Sequence, residues 1–309
     1  MNDAVRLVEV GARDGLQNEA RTLAPAVRAE LIGRLVEAGL RHIEAGAFVS
    51  PRWVPQMADT DQVLARLPKR ADVTYSVLVP NERGVTAALA AGASEVAVFT
   101  AASEAFNQRN INCSIAESLA RFEPVLQQAK AQSVPVRGYV SCVLGCPYQG
   151  HVPVEQVVRT ASALARLGCH EISLGDTIGA GVPSAVRELL AACATALPLE
   201  RLAVHFHDTR GMAVANCLAA LEQGVRVFDS SVSGLGGCPY SPGATGNVAS
   251  EELVYLFEGL GLNTGVDLDR LVAAGAFVDG HLGRATQSRV ARAHHANNAA
   301  NTTINSEST

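Results

Sequence analysis

The sequence predicts an α/β fold, a (β/α)8 TIM barrel with extra C-terminal helices. Three observations predict it. Short β-branched runs alternate with Ala- and Leu-rich stretches of helical periodicity, eight strand–helix units in all. Several helical stretches end in a glycine just ahead of the next strand, at Gly39, Gly92, Gly168 and Gly224, where a left-handed C-cap is needed. The units occupy most of a 309-residue chain, and such a barrel typically runs to about 250 residues. A doubly wound open sheet is the structural alternative, but no G-x-G-x-x-G turn follows the first strand.

The strands are expected at residues 5–10, 42–46, 73–79, 95–100, 134–143, 171–174, 202–207 and 225–232. Read as buried, near-continuous apolar runs joined by helices, they imply a parallel sheet. The intervening helices are expected at 26–38, 83–91, 115–131, 154–167, 184–196 and 212–222. Beyond about residue 250 the pattern turns helical, at 251–260 and 268–277. Residues 1–293 are expected to form one catalytic domain. Residues 294–309, polar and rich in Asn, Ala, Thr and Ser, are expected to be a frayed tail.

Composition narrows the partners. With 48% hydrophobic and only 5% aromatic residues, Ala, Val, Leu and Ile must fill the core, which argues against disorder. A net charge of −5 provides no basic footprint for nucleic acid. No apolar run reaches the roughly 18 residues of a membrane span. No basic n-region with an apolar h-region marks export. Seven cysteines, an odd number, favour free thiols and a cytoplasmic, reducing setting.

A barrel of this kind carries its chemistry at the C-terminal ends of its strands. The polar residues expected there are Arg13, Asp14 and Gln17 after strand one, Glu44 at the end of strand two and Asp176 after strand six. His205 and His207 end strand seven, and a Gly-rich loop with Cys238 and Asn247 follows strand eight. His205 and His207 lie two apart, so both rings face the same way. Two imidazoles at a barrel mouth make half of a divalent-metal site, which Asp14 and Asn247 can complete with a carboxylate and a neutral oxygen. Such a mixed set leans to Mg²⁺ or Mn²⁺, with Zn²⁺, Co²⁺ or Fe²⁺ as alternatives. A strand that merely ends in two satisfied histidines is the bland alternative.

Arg13 beside Asp14 is either a surface ion pair of little value or a set of donors aimed at a developing oxyanion. Glu44 could hold Arg13, reach the metal through water, or only stabilise the rim. Cys238 sits among glycines whose backbone can approach a ligand closely, and that loop could carry the thiol to a substrate. The absence of a G-K-[ST] ending excludes a P-loop. Cys142 and Cys146 lack zinc spacing, and Cys113, Cys169, Cys193 and Cys217 are expected to pack. His42 and His170 begin strands at the opposite rim, where the residues that stabilise such a barrel lie.

Several of these residues fall within segments that resemble the 3-hydroxy-3-methylglutaryl-CoA lyase family of DRE-TIM metallolyases. The specific one is 231–247, S-V-S-G-L-G-G-C-P-Y-S-P-G-A-T-G-N. Supporting ones are V-G-A-R-D-G-L-Q-N-E at 10–19, F-V-S-P-R-W-V-P-Q-M at 48–57, N-I-N-C-S at 110–114, Y-V-S-C-V-L-G-C-P-Y at 139–148 and S-L-G-D-T-I-G at 173–179. The resemblance covers about residues 5–280. It implies a divalent-metal-dependent carbon–carbon lyase acting on an acyl-CoA, with Asp14, His205, His207 and Asn247 as metal ligands. It implies Arg13 as enolate stabiliser, Glu44 as the acidic member of the Asp-Arg-Glu set and Cys238 as a proton-transfer thiol. Arg13, Gln17 and Asp176 are assigned to substrate binding, and a homodimer is expected.

The chain departs from the family pattern at Ala20, where well-studied members have Lys, and at Ala45 to Ala47, where they carry hydroxyl residues. The departures bear on the acyl group and leave a 3-hydroxy-3-alkylglutaryl-CoA with another C3 substituent open. The competing activities are a DRE-TIM acyl-CoA condensing enzyme or a metal-dependent aldolase. A catalytically inactive barrel acting as a binding protein is the non-enzyme alternative.

Overall fold

Eight strands close in sequence order into a parallel barrel, β1 pairing with both β2 and β8. They are β1 Arg6–Glu9, β2 His42–Ala47, β3 Thr74–Leu78, β4 Glu95–Ala101, β5 Val136–Ser141, β6 Glu171–Asp176, β7 Leu202–Phe206 and β8 Val227–Ser230. The computed structural model describes residues 4–237 and 246–296. Cys238 and the segment from 297 onward lie outside the described residues.

The helices that cover the sheet lie where periodicity expects them. They are α1 Pro25–Glu37, α3 Glu82–Ala90, α5 Ile115–Ala131, α6 Val154–Leu167, α7 Pro183–Ala194 and α8 Ala213–Glu222, followed by α9 Ser250–Gly259 and α10 Leu268–Leu282. Local chemistry explains several ends. Ser114 and Glu117 form a reciprocal capping box at α5, and Gly168 closes α6 at φ 118°. Two further helices, α2 Thr60–Leu64 and α4 Glu104–Ile111, have no counterpart in the sequence reading. α2 is a single short turn, and α4 (EAFNQRNI) lacks an apolar repeat, its start set by Ser103 accepting the Phe106 N–H. Residues 289–296 are also helical, reaching three residues into the expected tail.

The apolar core is not inside the barrel. The large cluster of buried hydrophobics includes Ile43, Val77, Val98, Ile172 and Leu174 from the strands with Leu35, Val125, Leu164 and Leu189 from the helices. A separate cluster of only Val8, Val10, Ala203 and Val227 lies apart from it. The strands therefore alternate: most apolar side chains face the helices, and the lumen face carries the charges together with that small cluster, since Ala203 shares a face with His205 and Val227 with Asp229. The lumen side is identified by bonds between strands that are not neighbours. Arg137 on β5 reaches Asp229 on β8, and Tyr139 on β5 reaches Glu44 on β2. The expectation of continuously apolar strands is thus corrected, because a chemistry-bearing lumen needs its own internally paired charges.

His170, ahead of β6, pairs with Glu95 at the N-terminal end of β4 (2.8 Å), as its expected place at the opposite rim implies. Cys113, Cys142, Cys146, Cys169, Cys193 and Cys217 are all free and buried. No described helix is long and apolar enough to cross a membrane.

Candidate metal centre

The site begins where β1 ends. Residues Gly11–Gly15 make one π-helical turn, with the Gly15 N–H on the Val10 carbonyl, a local form often found at functional sites. The turn needs its glycine: a Cβ on Gly11 would lie 2.5 Å from Glu9 Oε1. Arg13 and Asp14 project from this turn. Arg13 is 6% exposed and grips Glu44 through Nε (2.7 Å) and Nη2 (2.7 Å), while its Nη1 donates to Asp14 Oδ1 (2.7 Å). That uses three of its five N–H groups. Glu44 is fully buried at a β2 bulge, so the reading in which it holds Arg13 is the one its geometry supports.

Asp14, His205 and His207 offer ligand atoms that all lie within 4.8 Å of one another. The two Nε2 atoms face each other at 3.3 Å. Burial and the charge of His205 push His207 down to about 4, leaving it a neutral donor, and its buried Nδ1 has no hydrogen-bond partner. Burial pulls His205 down as well, but the Asp229 hydrogen bond and the charges of Asp14 and Asp229 outweigh it and raise it. Burial pushes Asp14 up, but Arg13 and the two histidines hold it at about 2, as a carboxylate. Two imidazole nitrogens converging on a carboxylate suit a divalent cation.

Asn247 joins them through an isolated bridge to His207. Its amide nitrogen donates to Asp14 Oδ2 (2.9 Å) and the Leu235 carbonyl (3.3 Å). A ligand role for its oxygen requires the amide turned over. Gln17 Nε2 reaches Asp14 Oδ1 at 3.5 Å and so borders the centre.

Asp176 is placed differently. It is fully buried, and its two oxygens accept the N–H groups of Ala180 (3.0 Å) and Gly181 (2.8 Å). Its side chain shapes the loop after β6, and its carbonyl accepts the His207 N–H (3.4 Å). Ala45 and Ala47 are buried, 0% and 2% exposed, and Ala47 ends β2 at the C-terminal rim. Of the departures, Ala20 is the one left exposed, on the turn after Asp14.

Sequence reasoning missed the support beneath these groups. Asp229 Oδ2 holds His205 Nδ1 at 3.2 Å, leaving Nε2 toward the centre. Ser173 Oγ also donates to that oxygen (2.8 Å), and Arg137 binds the carboxylate at 2.7 and 3.1 Å. The signal was a full charge inside an otherwise apolar strand, at Arg137 and Asp229, which costs free energy unless it is paired.

A closed parallel barrel with a buried arginine and an Asp-His-His cluster at its C-terminal mouth defines a barrel enzyme with a candidate metal centre. The chain belongs to the HMGL-like family, whose profile matches residues 4–278. It is similar to a hydroxymethylglutaryl-CoA lyase of Pseudomonas mevalonii, 62% identical over 93% of this chain and 95% of that one. A 3-hydroxy-3-isohexenylglutaryl-CoA/hydroxy-methylglutaryl-CoA lyase of Pseudomonas aeruginosa is 57% identical over 94% and 96%. The crystal structure of a hydroxymethylglutaryl-CoA lyase from Pseudomonas aeruginosa superposes with a TM-score of 0.95, at 56% identity, over 96% of this chain and 99% of that one.

Proposed function

We propose that this enzyme cleaves 3-hydroxy-3-methylglutaryl-CoA to acetyl-CoA and acetoacetate. The observation that carries the reading is the convergence of Asp14, His205 and His207 within 4.8 Å, beside an Arg13 with unused donors. Asp14, His205 and His207, with Asn247 once its amide turns, would hold a divalent cation, Mg²⁺ or Mn²⁺. Such a cation would lower the pKa of a hydroxyl beside it.

The bond that breaks joins C2 and C3 of the substrate. Loss of the C3 hydroxyl proton lets that oxygen become the ketone of acetoacetate, and the C2–C3 electron pair passes to C2 as a thioester enolate. Arg13 meets the enolate oxygen with its remaining N–H groups, held still by Glu44 and Asp14. A base at the centre takes the hydroxyl proton, Cys238 gives its thiol proton to C2, and passing the first proton on to the thiolate restores both groups, so atoms and charge balance without water. Gln17 orients the acid half beside Asp14. Asp176 serves substrate binding through the loop it shapes. A homodimer in a cytoplasmic setting belongs to the same reading, and sedimentation velocity tests the dimer.

A second reading concerns the acyl group. The relative at 57% identity is named for a 3-isohexenyl substrate as well as the 3-methyl one, and Ala20 leaves only a methyl on the exposed turn after Asp14. A panel of 3-hydroxy-3-alkylglutaryl-CoA thioesters scored by kcat/KM tests both readings. Release of acetyl-CoA from the 3-methyl compound supports the lyase. Consumption of acetyl-CoA in condensation with no cleavage would replace it with a condensing enzyme.

A further inference from the structure

The lumen of the barrel holds a guanidinium that the reaction does not touch. Arg137 on β5 is 1% exposed and extends across the lumen toward β8. Its Nε donates to Glu171 Oε1 (2.7 Å), and its Nη2 to Asp229 Oδ1 (2.7 Å). Its Nη1 is shared between Asp229 Oδ2 (3.1 Å) and the Tyr139 hydroxyl (2.8 Å). Each arm leads on to a different part of the site. Asp229 continues to His205 Nδ1. The Tyr139 hydroxyl donates to Glu44 Oε2 at 3.4 Å, and Glu44 grips Arg13. Asp14 closes the circuit, bonded to Arg13 on one side and 3.8 Å from His205 Nε2 on the other.

We propose that Arg137 is a shared positioning residue, setting His205 for the cation through Asp229 and Arg13 for the enolate through Tyr139 and Glu44. A purely structural ion pair would not need this shape. Glu171 is shared with Arg6, so Asp229 supplies the second counter-charge, which it could do without also holding His205. The remaining donors go to two groups that each end on a site residue. A planar guanidinium can serve both directions from one fixed position, which an ammonium cannot. Both guanidinium carbons lie near the Tyr139 ring, 4.9 Å from its centroid for Arg137 and 5.7 Å for Arg13.

The enolate half of this inference rests on the proposed cleavage reaction, whereas the cation half does not. The experiment measures Mn²⁺ affinity by calorimetry without substrate, and then kcat and KM for 3-hydroxy-3-methylglutaryl-CoA. The variants are Asp229→Asn, Tyr139→Phe and Arg137→Lys, each checked for folding by circular dichroism. Asp229→Asn is expected to weaken Mn²⁺ by about 10–100-fold. Tyr139→Phe is expected to leave Mn²⁺ affinity within about twofold and to lower kcat about 10–100-fold at nearly constant KM. Arg137→Lys is expected to do both, and adding Asp229→Asn to it should weaken Mn²⁺ little further.

Equal loss of Mn²⁺ affinity in Tyr139→Phe and Asp229→Asn, or none in Asp229→Asn, overturns the proposal. So does an Arg137→Lys enzyme that loses only one of the two properties. If Arg137→Lys does not fold, the split between the other two variants still decides. A wild type that binds Mn²⁺ but leaves the thioester intact defeats the proposed reaction and not the cation half.

Discussion

His207 and Asn247 face each other in an isolated antiparallel bridge just beyond the end of β7. The Asp208 N–H on the Gly246 carbonyl (2.8 Å) and the Val248 N–H on the Phe206 carbonyl (3.1 Å) extend the pairing. This short ribbon is not part of the parallel barrel. It carries Asn247, at the far end of the Gly-rich loop, back beside a strand-seven histidine, and so ties the loop's return to the metal centre.

His205→Ala removes one of three converging candidate ligands. Metal affinity should fall by more than the roughly 100-fold that loss of an outer partner costs, and turnover should go with it. Calorimetry with Mn²⁺ on the purified variant measures the first, and an unchanged dissociation constant would remove His205 from the ligand set.

Arg13→Lys keeps the charge but not the fork. An ammonium cannot put two N–H groups on Glu44 Oε2 and still face Asp14 and a substrate oxygen. The expected loss is about 10²–10³-fold in kcat with a small change in KM. A lysine enzyme with wild-type kcat would show that Arg13 acts only as a rim ion pair.

Cys238→Ala should separate binding from chemistry. Metal affinity is expected to stay at the wild-type value, while the rate falls by about 10²–10⁴-fold, the range for loss of a proton donor. Steady-state assays beside calorimetry read both. Unchanged turnover assigns the protonation of C2 elsewhere.

Glu9 predicts a pH-dependent stability. Burial raises it from 4.5 to about 7, although Ser250 and the Val232 and Gly11 N–H groups hydrogen-bond to it. Its folded pKa lies above its unfolded one, so its contribution is fully present below pH 4.5 and is lost as pH rises through 7. The difference amounts to about 3 kcal/mol between the two limits. Thermal unfolding of wild type and Glu9→Gln from pH 4 to 8 should show wild type losing stability relative to the variant. A constant gap across that range would be the contrary result.

Most of the fold was legible because strand and helix periods are local properties. The glycines that end helices mark the same boundaries that the structure shows, as at Gly168. α2 and α4 escaped because they are short and their polarity carries no repeat. In the site, Arg13, Asp14, Glu44, His205 and His207 were legible because ionisable residues stood at strand ends. Arg137, Tyr139 and Asp229 were not, because their roles come from bonds across the lumen between strands that no sequence spacing relates. Asp176 stood at a strand end as well, but its carboxylate turned to the N–H groups of its own loop.

The order of the barrel, its C-terminal mouth and the residue types gathered there follow from periodicity, punctuation and motif, each encoded within a few consecutive residues. The direction each side chain takes does not. Closing the sheet put β5 opposite β8 and β2, so charges that look stranded within apolar runs became one another's partners. It also buried Ala45 and Ala47 and left Ala20 exposed. Burial and pairing are properties of the closed barrel, because the free energy of a buried charge depends on neighbours that are distant in sequence.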